Sequence, residues 1–155
     1  MRVVVQRVSA AKVYVRGEGG RRERGAIGAG LLVLAAVENG DTREDAKWIA
    51  GKVVSLRVFE DEGGKMNKSV LDTGGDILAV SQFTLFGSVG KGNRPSFNRS
   101  APPPVSVPLY ENFLAELGGL LGKPAQCGEF GAMMDVELVN DGPVTIIIDS
   151  KMRDI

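Results

Sequence analysis

Histidine is missing from all 155 residues. That absence removes the serine–histidine–aspartate triad, the cysteine–histidine pair and every histidine-based metal site. Cysteine occurs once, at Cys127, which excludes an intrachain disulfide and a thiolate zinc site and fits a reducing compartment. Charge imbalance is missing too. With 19 basic and 19 acidic residues the net charge is zero, so any nucleic-acid footprint has to be local. No apolar run reaches the ~20 residues of a membrane helix. The opening "MRVVVQRVSA" alternates and carries Arg7 inside its apolar run, unlike a signal peptide. The expectation is a cytoplasmic protein with no membrane segment, no metal and no cofactor. Its chemistry must come from Ser, Thr, Asp, Glu, Lys, Tyr, backbone groups or the substrate itself.

Glycine is plentiful, 21 of 155, about twice the usual ~7%, which points to tight turns and close backbone approaches. The length fits one domain, residues 1–155, large enough for its own core. "RVVVQRV" (2–8) and "AKVYV" (11–15) read as paired strands, and "RGEGGRRERG" (16–25) as a polar turn. "LLVLAAV" (31–37) reads as a buried strand. Thr42 and Asp45 resemble a capping box. Ala46, Ile49, Ala50, Val53 and Val54 recur at helical spacing, which predicts a helix over 43–55. "LRVF" and "DILAVSQFTL" read as strands separated by the turn "EDEGGK". Residues 87–104 form a long Gly/Pro/Ser loop. Pro108 is read as opening a helix with Leu109, Phe113, Leu114, Leu117, Leu120 and Leu121 as its apolar residues. "ELVNDGPVTIII" (137–148) reads as a hairpin around Asp141-Gly142, although Pro143 has no N–H to close the turn. The fold class is α+β: a mostly antiparallel sheet or barrel with two packed helices.

Three stretches are candidates for function. "SQFTLF" (81–86) puts Ser81, Gln82 and Thr84 at the end of a strand. On spacing alone the better reading is a strand running out of the core with Thr84 on its solvent face, since threonine is a weak nucleophile without a base. "GKGNRPSFNR" (90–99) offers Lys91, Arg94 and Arg99 to phosphate, or is a solvated loop. The third is the Gly142-Pro143 tip, for which a trans bond is the default.

Together, "SQFTL", "KGNRPSF", "FGAMM" and "NDGPVT" closely resemble the D-aminoacyl-tRNA deacylases, and the similarity spans nearly the whole chain in unbroken order. Gly87, Ser88 and Val89 depart from the acidic stretch common in bacterial members. The resemblance implies a homodimer in which a cis Gly142-Pro143 pair reaches into the partner's active site. There its carbonyls receive the substrate α-ammonium group and exclude L side chains, while glycyl-tRNA is accepted. It implies that Arg7 holds this motif and that Phe130 and Met134 line the pocket for the 3′-terminal adenosine of a D-aminoacyl-tRNA. Ser81, Gln82, Phe83 and Thr84 form the catalytic segment. On the same resemblance, main-chain groups near Phe83 and Thr84 would stabilise the oxyanion, and the substrate 2′-OH would assist the attack on the ester. Thr84 as nucleophile is the other mechanistic reading. A tRNA-binding module without activity and a structural dimerisation domain are the rival functions.

Overall fold

The computed structural model describes all residues, Met1–Ile155. Its elements in chain order are β1 (Arg2–Gly17), β2 (Gly20–Ile27), β3 (Gly30–Ala36), α1 (Arg43–Ser55), β4 (Phe59–Glu60), β5 (Met66–Lys68) and the short α2 (Val70–Thr73). There follow β6 (Asp76–Ser81), a 3₁₀ turn (Phe83–Phe86), α3 (Pro103–Leu121), β7 (Gln126–Cys127) and β8 (Met134–Asp149). The main sheet runs β2-β1-β3-β6-β7, with β8 on the other edge of β1. The β3–β6 and β6–β7 pairs are parallel and the rest of this sheet is antiparallel. Gly25 of β2 lies so near β7 that a Cβ there would sit 3.2 Å from the Cys127 carbonyl. The sheet therefore curls almost into a barrel.

The central strands are buried on both faces, which is why they read as unbroken apolar runs. Leu31, Val33 and Ala35 of β3, with Ile77 and Ala79 of β6, face a core shared with Ile49, Val53, Phe113 and Leu117 of the two long helices. Leu32, Leu78 and Val80 point the other way, into the barrel interior with Val8, Ala11, Val13 and Ile27. Helix α1 follows its sequence closely. Thr42 and Asp45 form the capping box, and Ala46, Ile49, Ala50, Val53 and Val54 are its buried face.

Several expectations give way to non-local pairing. The two opening runs are not a pair but one 16-residue strand. Val3 and Val5 face the helices, whereas Ala11 and Val13, of the same parity, face the barrel interior. The β1–β8 register shifts between Val8 and Ala10. One extra residue in a strand swaps its faces, so the break in alternation that resembled a turn is a bulge. The expected polar turn at 16–25 shrinks to Glu18-Gly19; β1 takes Arg16 and Gly17, and β2 takes the rest. Of "LRVF" only Phe59 becomes strand, joined by Glu60 in β4, which pairs with β5. Helix α3 begins at Pro103, not Pro108, with Pro102 as its cap. Prolines suit a first turn, whose N–H groups have no intrahelical acceptor, and Pro108 lies within the helix. The buried face of α3 is Ser106, Tyr110, Phe113 and Leu117, while Leu120 is exposed.

The final hairpin is also absent. Both of its runs pair with β1, from Arg2↔Asp149 to Gln6↔Thr145 and from Val8↔Asn140 to Val15↔Met134. Asp141 to Val144 is a four-residue bulge in one long strand, opposite Arg7. Proline cannot close a turn with its own N–H, and here the Val144 N–H donates to Asn140 Oδ1 at 3.0 Å instead. Arg7, 7% exposed, donates through Nε to the Asp141 carbonyl at 3.0 Å and through Nη1 to the Val58 carbonyl at 2.6 Å. The Gly142-Pro143 bond is cis. Gly142 has φ +127°, and a Cβ there would lie 2.7 Å from Arg7 Nη2. Gly142→Ala is expected to destabilise the fold by more than about 1 kcal/mol, since it meets both a positive φ and a buried guanidinium. Urea unfolding checks this; an unchanged midpoint would mean that the bulge is not held as described.

Candidate active site

Strands β3 and β6 run parallel and end together, with Ala35 opposite Ser81. The Gln82 N–H donates to the Ala35 carbonyl at 2.7 Å as the last rung. Beyond it β6 has no partner, so "FTLF" coils into the 3₁₀ turn rather than continuing the strand expected from the sequence. Above these strand ends lies a cleft of about 440 Å³, within the size range of small-molecule sites. Ala35–Val37 and Val80–Thr84 form its floor. Ala101, Ser106 and Tyr110 form one wall, and the segment from Phe130 to Met134 with Val136 forms the other.

Six of the nine residues expected at the site meet here: Ser81, Gln82, Phe83, Thr84, Phe130 and Met134. Gln82 Nε2 donates to Thr84 Oγ1. As the first residues of the 3₁₀ turn, Phe83 and Thr84 have no partner within it for their amide N–H groups. Arg7, Gly142 and Pro143 are not among the walls. They lie together at the β8 bulge, where Gly142 and Pro143 are exposed to solvent.

Twelve of the seventeen lining residues are hydrophobic and none is Asp, Glu, Lys or Arg, so no charged side chain is placed to act as a general base. Tyr110 is the one lining side chain that could lose a proton near neutrality if its pKa fell. Burial instead pushes the phenol far above its ordinary range, reinforced by Cys127 against a smaller pull from Arg24. It stays protonated and donates to the Ala79 carbonyl at 3.2 Å. No group of three or more His, Cys, Asp or Glu side chains is placed to hold a metal ion.

Several residues that shape the site were not singled out in the sequence. Tyr110 packs its ring against Phe130, centroids 5.6 Å apart. Gly128 has no Cβ where one would fall 2.6 Å from Met134 Sδ, so the sulfur can pack against the chain. Phe97 meets Phe83 edge-on at 5.1 Å, and Ser100 Oγ donates to the Phe83 carbonyl at 2.9 Å. Of the three cations in the 87–104 loop, Arg99 is engaged by Glu38 at 2.7 Å and lies over the Phe86 ring. Lys91 and Arg94 are exposed.

The chain matches the family model described as D-Tyr-tRNA(Tyr) deacylase over residues 4–149. It is 58% identical over 152 residues to the D-aminoacyl-tRNA deacylase of Dechloromonas aromatica, covering 98% of this chain and 99% of that one. It is 55% identical over 154 residues to the D-aminoacyl-tRNA deacylase of Opitutus terrae, covering 99% and 100%. A solved structure described as c-Myc DNA Unwinding Element Binding Protein superposes with a TM-score of 0.88 at 43% identity, over 96% of this chain and 98% of that one. A probable eukaryotic D-amino acid tRNA deacylase shares the fold, with a TM-score of 0.80 at 19% identity over 95% and 97%. By sequence along nearly its whole length, the chain belongs to the D-aminoacyl-tRNA deacylase family.

Proposed function

We propose that this protein hydrolyses the ester joining a D-amino acid to the 3′-terminal adenosine of tRNA, releases free amino acid and tRNA, and accepts glycyl-tRNA while rejecting L-aminoacyl-tRNA. The reaction class rests on the family. The observation that carries the mechanism is the cleft: it offers amides, hydroxyls and apolar walls but no side-chain base. An aminoacyl ester suits such a site because its ribose carries a neighbouring 2′-OH that can orient and activate water. Water adds to the carbonyl carbon, and the Phe83 and Thr84 amides receive the developing oxyanion. The bond to the 3′-oxygen then breaks, and that oxygen takes the proton that the attacking water gave up through the 2′-OH, as tRNA leaves.

Thr84 is a poor nucleophile in this setting. Its Oγ1 accepts a hydrogen bond from Gln82, which draws electron density away from the oxygen, and nothing nearby removes its proton. The hydroxyl serves better as a positioned donor. Ser81 and Gln82 order the floor, and Phe130 and Met134 are placed to pack on the adenosine.

The stereochemical reading needs a second copy of the chain, whose Gly142-Pro143 tip would enter this cleft and leave room only for hydrogen at one substituent position of Cα. Support for a homodimer comes from β8. This 16-residue strand pairs only with β1 and exposes Leu138, Val139, Ile146 and Ile147. A long apolar edge strand is unusual in a protein that stays monomeric. No helix is long and apolar enough to cross a membrane, and the place of action proposed is the cytoplasm, where aminoacyl-tRNA is used.

Single-turnover hydrolysis of D-tyrosyl-tRNA tests the mechanism. Thr84→Ala is expected to retain measurable turnover, whereas a substrate ending in 2′-deoxyadenosine should slow by roughly 10²-fold or more, the scale of lost acid–base assistance. A folded but inactive Thr84→Ala protein that coexists with an active deoxy substrate would make Thr84 the nucleophile. Tight tRNA binding without any turnover by the wild type would favour the non-catalytic module.

A further inference from the structure

We propose that Ser100 is a positioning residue for this reaction: its hydroxyl fixes the peptide plane between Phe83 and Thr84 so that the Thr84 N–H points at the ester oxyanion. The inference rests on the reaction proposed above and assigns a role to a residue outside the cleft walls.

A peptide unit is planar and trans, so its C=O and N–H point in opposite directions. The Phe83 carbonyl accepts from Ser100 Oγ at 2.9 Å. Phe83 and Thr84 line the cleft and Ser100 does not. With the carbonyl held on the Ser100 side, the Thr84 N–H is turned the other way, toward the cleft. A single 3₁₀ turn is a weak restraint on that plane, because its hydrogen bonds are poorly aligned and short runs are readily distorted. An external donor to the carbonyl supplies what the turn lacks.

Ser100 is itself well anchored. The Ser100 N–H donates to the Phe97 carbonyl at 3.0 Å. On either side, the Asn39 N–H donates to the Arg99 carbonyl at 2.9 Å and the Ala101 N–H to the Val37 carbonyl at 3.0 Å. The Arg99–Glu38 ion pair, at 2.7 Å, ties the same segment to the chain just beyond β3. Behind the turn, Arg2 Nη1 donates to the Leu85 carbonyl at 3.1 Å. The Phe97 ring steadies Phe83 from the side, and Gly87 leaves room for it, since a Cβ there would lie 3.1 Å from that ring. The loop after the 3₁₀ turn thus returns to brace it.

The test compares wild type, Ser100→Ala and Ser100→Thr on D-tyrosyl-tRNA, with kcat, KM and thermal melting measured for each. Ser100→Ala should lower kcat about tenfold, a fraction of the 10²–10³ lost when an oxyanion donor is removed outright, with KM and melting unchanged. Ser100→Thr, which restores the hydroxyl, should recover kcat. The proposal is overturned by an unchanged kcat in Ser100→Ala. It is equally overturned by a loss that appears in KM or in melting temperature, or by a loss that Ser100→Thr does not repair. A wild type inactive on D-tyrosyl-tRNA would instead refute the underlying reaction, and the positioning role with it.

Discussion

A guanidinium taken out of water has to be satisfied by its surroundings, because an unpaired buried charge costs several kcal/mol. Arg7 meets that requirement at the middle of β1, with its side chain 9% exposed. It binds the Val58 carbonyl on one side and the Asp141 carbonyl on the other, with the Asp141 carboxylate 3.4 Å away. The residues that answer it lie 51 and 134 positions along the chain. The same contact holds the β8 bulge in place and requires glycine at 142. The solvent-facing tip of the bulge therefore has a rigid base. Such a base suits the proposed role of the tip, which would enter another subunit's cleft and exclude a side chain by shape.

The cleft solves a different problem. It lies where two parallel strands end and β6 passes into the 3₁₀ turn, and two segments distant in sequence wall it: the start of α3 and the chain around Phe130. Its polarity comes from amides and hydroxyls in apolar surroundings. Dipoles fixed in such a site stabilise developing charge without reorganising at the moment of reaction, so the lack of histidine and of charged lining groups is no handicap for the proposed reaction, in which the substrate would bring its own hydroxyl.

Local signals were legible in the sequence, and signals that depend on distant partners were not. Helix α1 could be read in full because its cap, Thr42, directly precedes it and its buried face lies within its own 13 residues. The apolar run of β3 announced a buried strand, and "DILAV" announced the strand β6. Asp141-Gly142 misled because turn statistics describe an isolated segment, whereas β1 offers one edge long enough to pair with both halves of β8. The reading of 2–8 and 11–15 as two strands failed for a related reason: the bulge between them breaks alternation as a strand end would. Within the site, "SQFT", Phe130 and Met134 were found through their resemblance to a family, and the structure brings them to one cleft. Tyr110 and Ser100 carried no motif, and Phe97 closed "KGNRPSF" without a role of its own. Their contacts are to Ala79 and Phe83, which only the folded chain brings within reach.

The central claim is that backbone shape, not a side-chain pocket, selects the substrate. It is tested most directly by measuring hydrolysis of D-tyrosyl-, L-tyrosyl- and glycyl-tRNA side by side with the wild-type protein. The account predicts turnover of the D-tyrosyl and glycyl substrates and none of the L-tyrosyl substrate. Comparable hydrolysis of D- and L-tyrosyl-tRNA would contradict it.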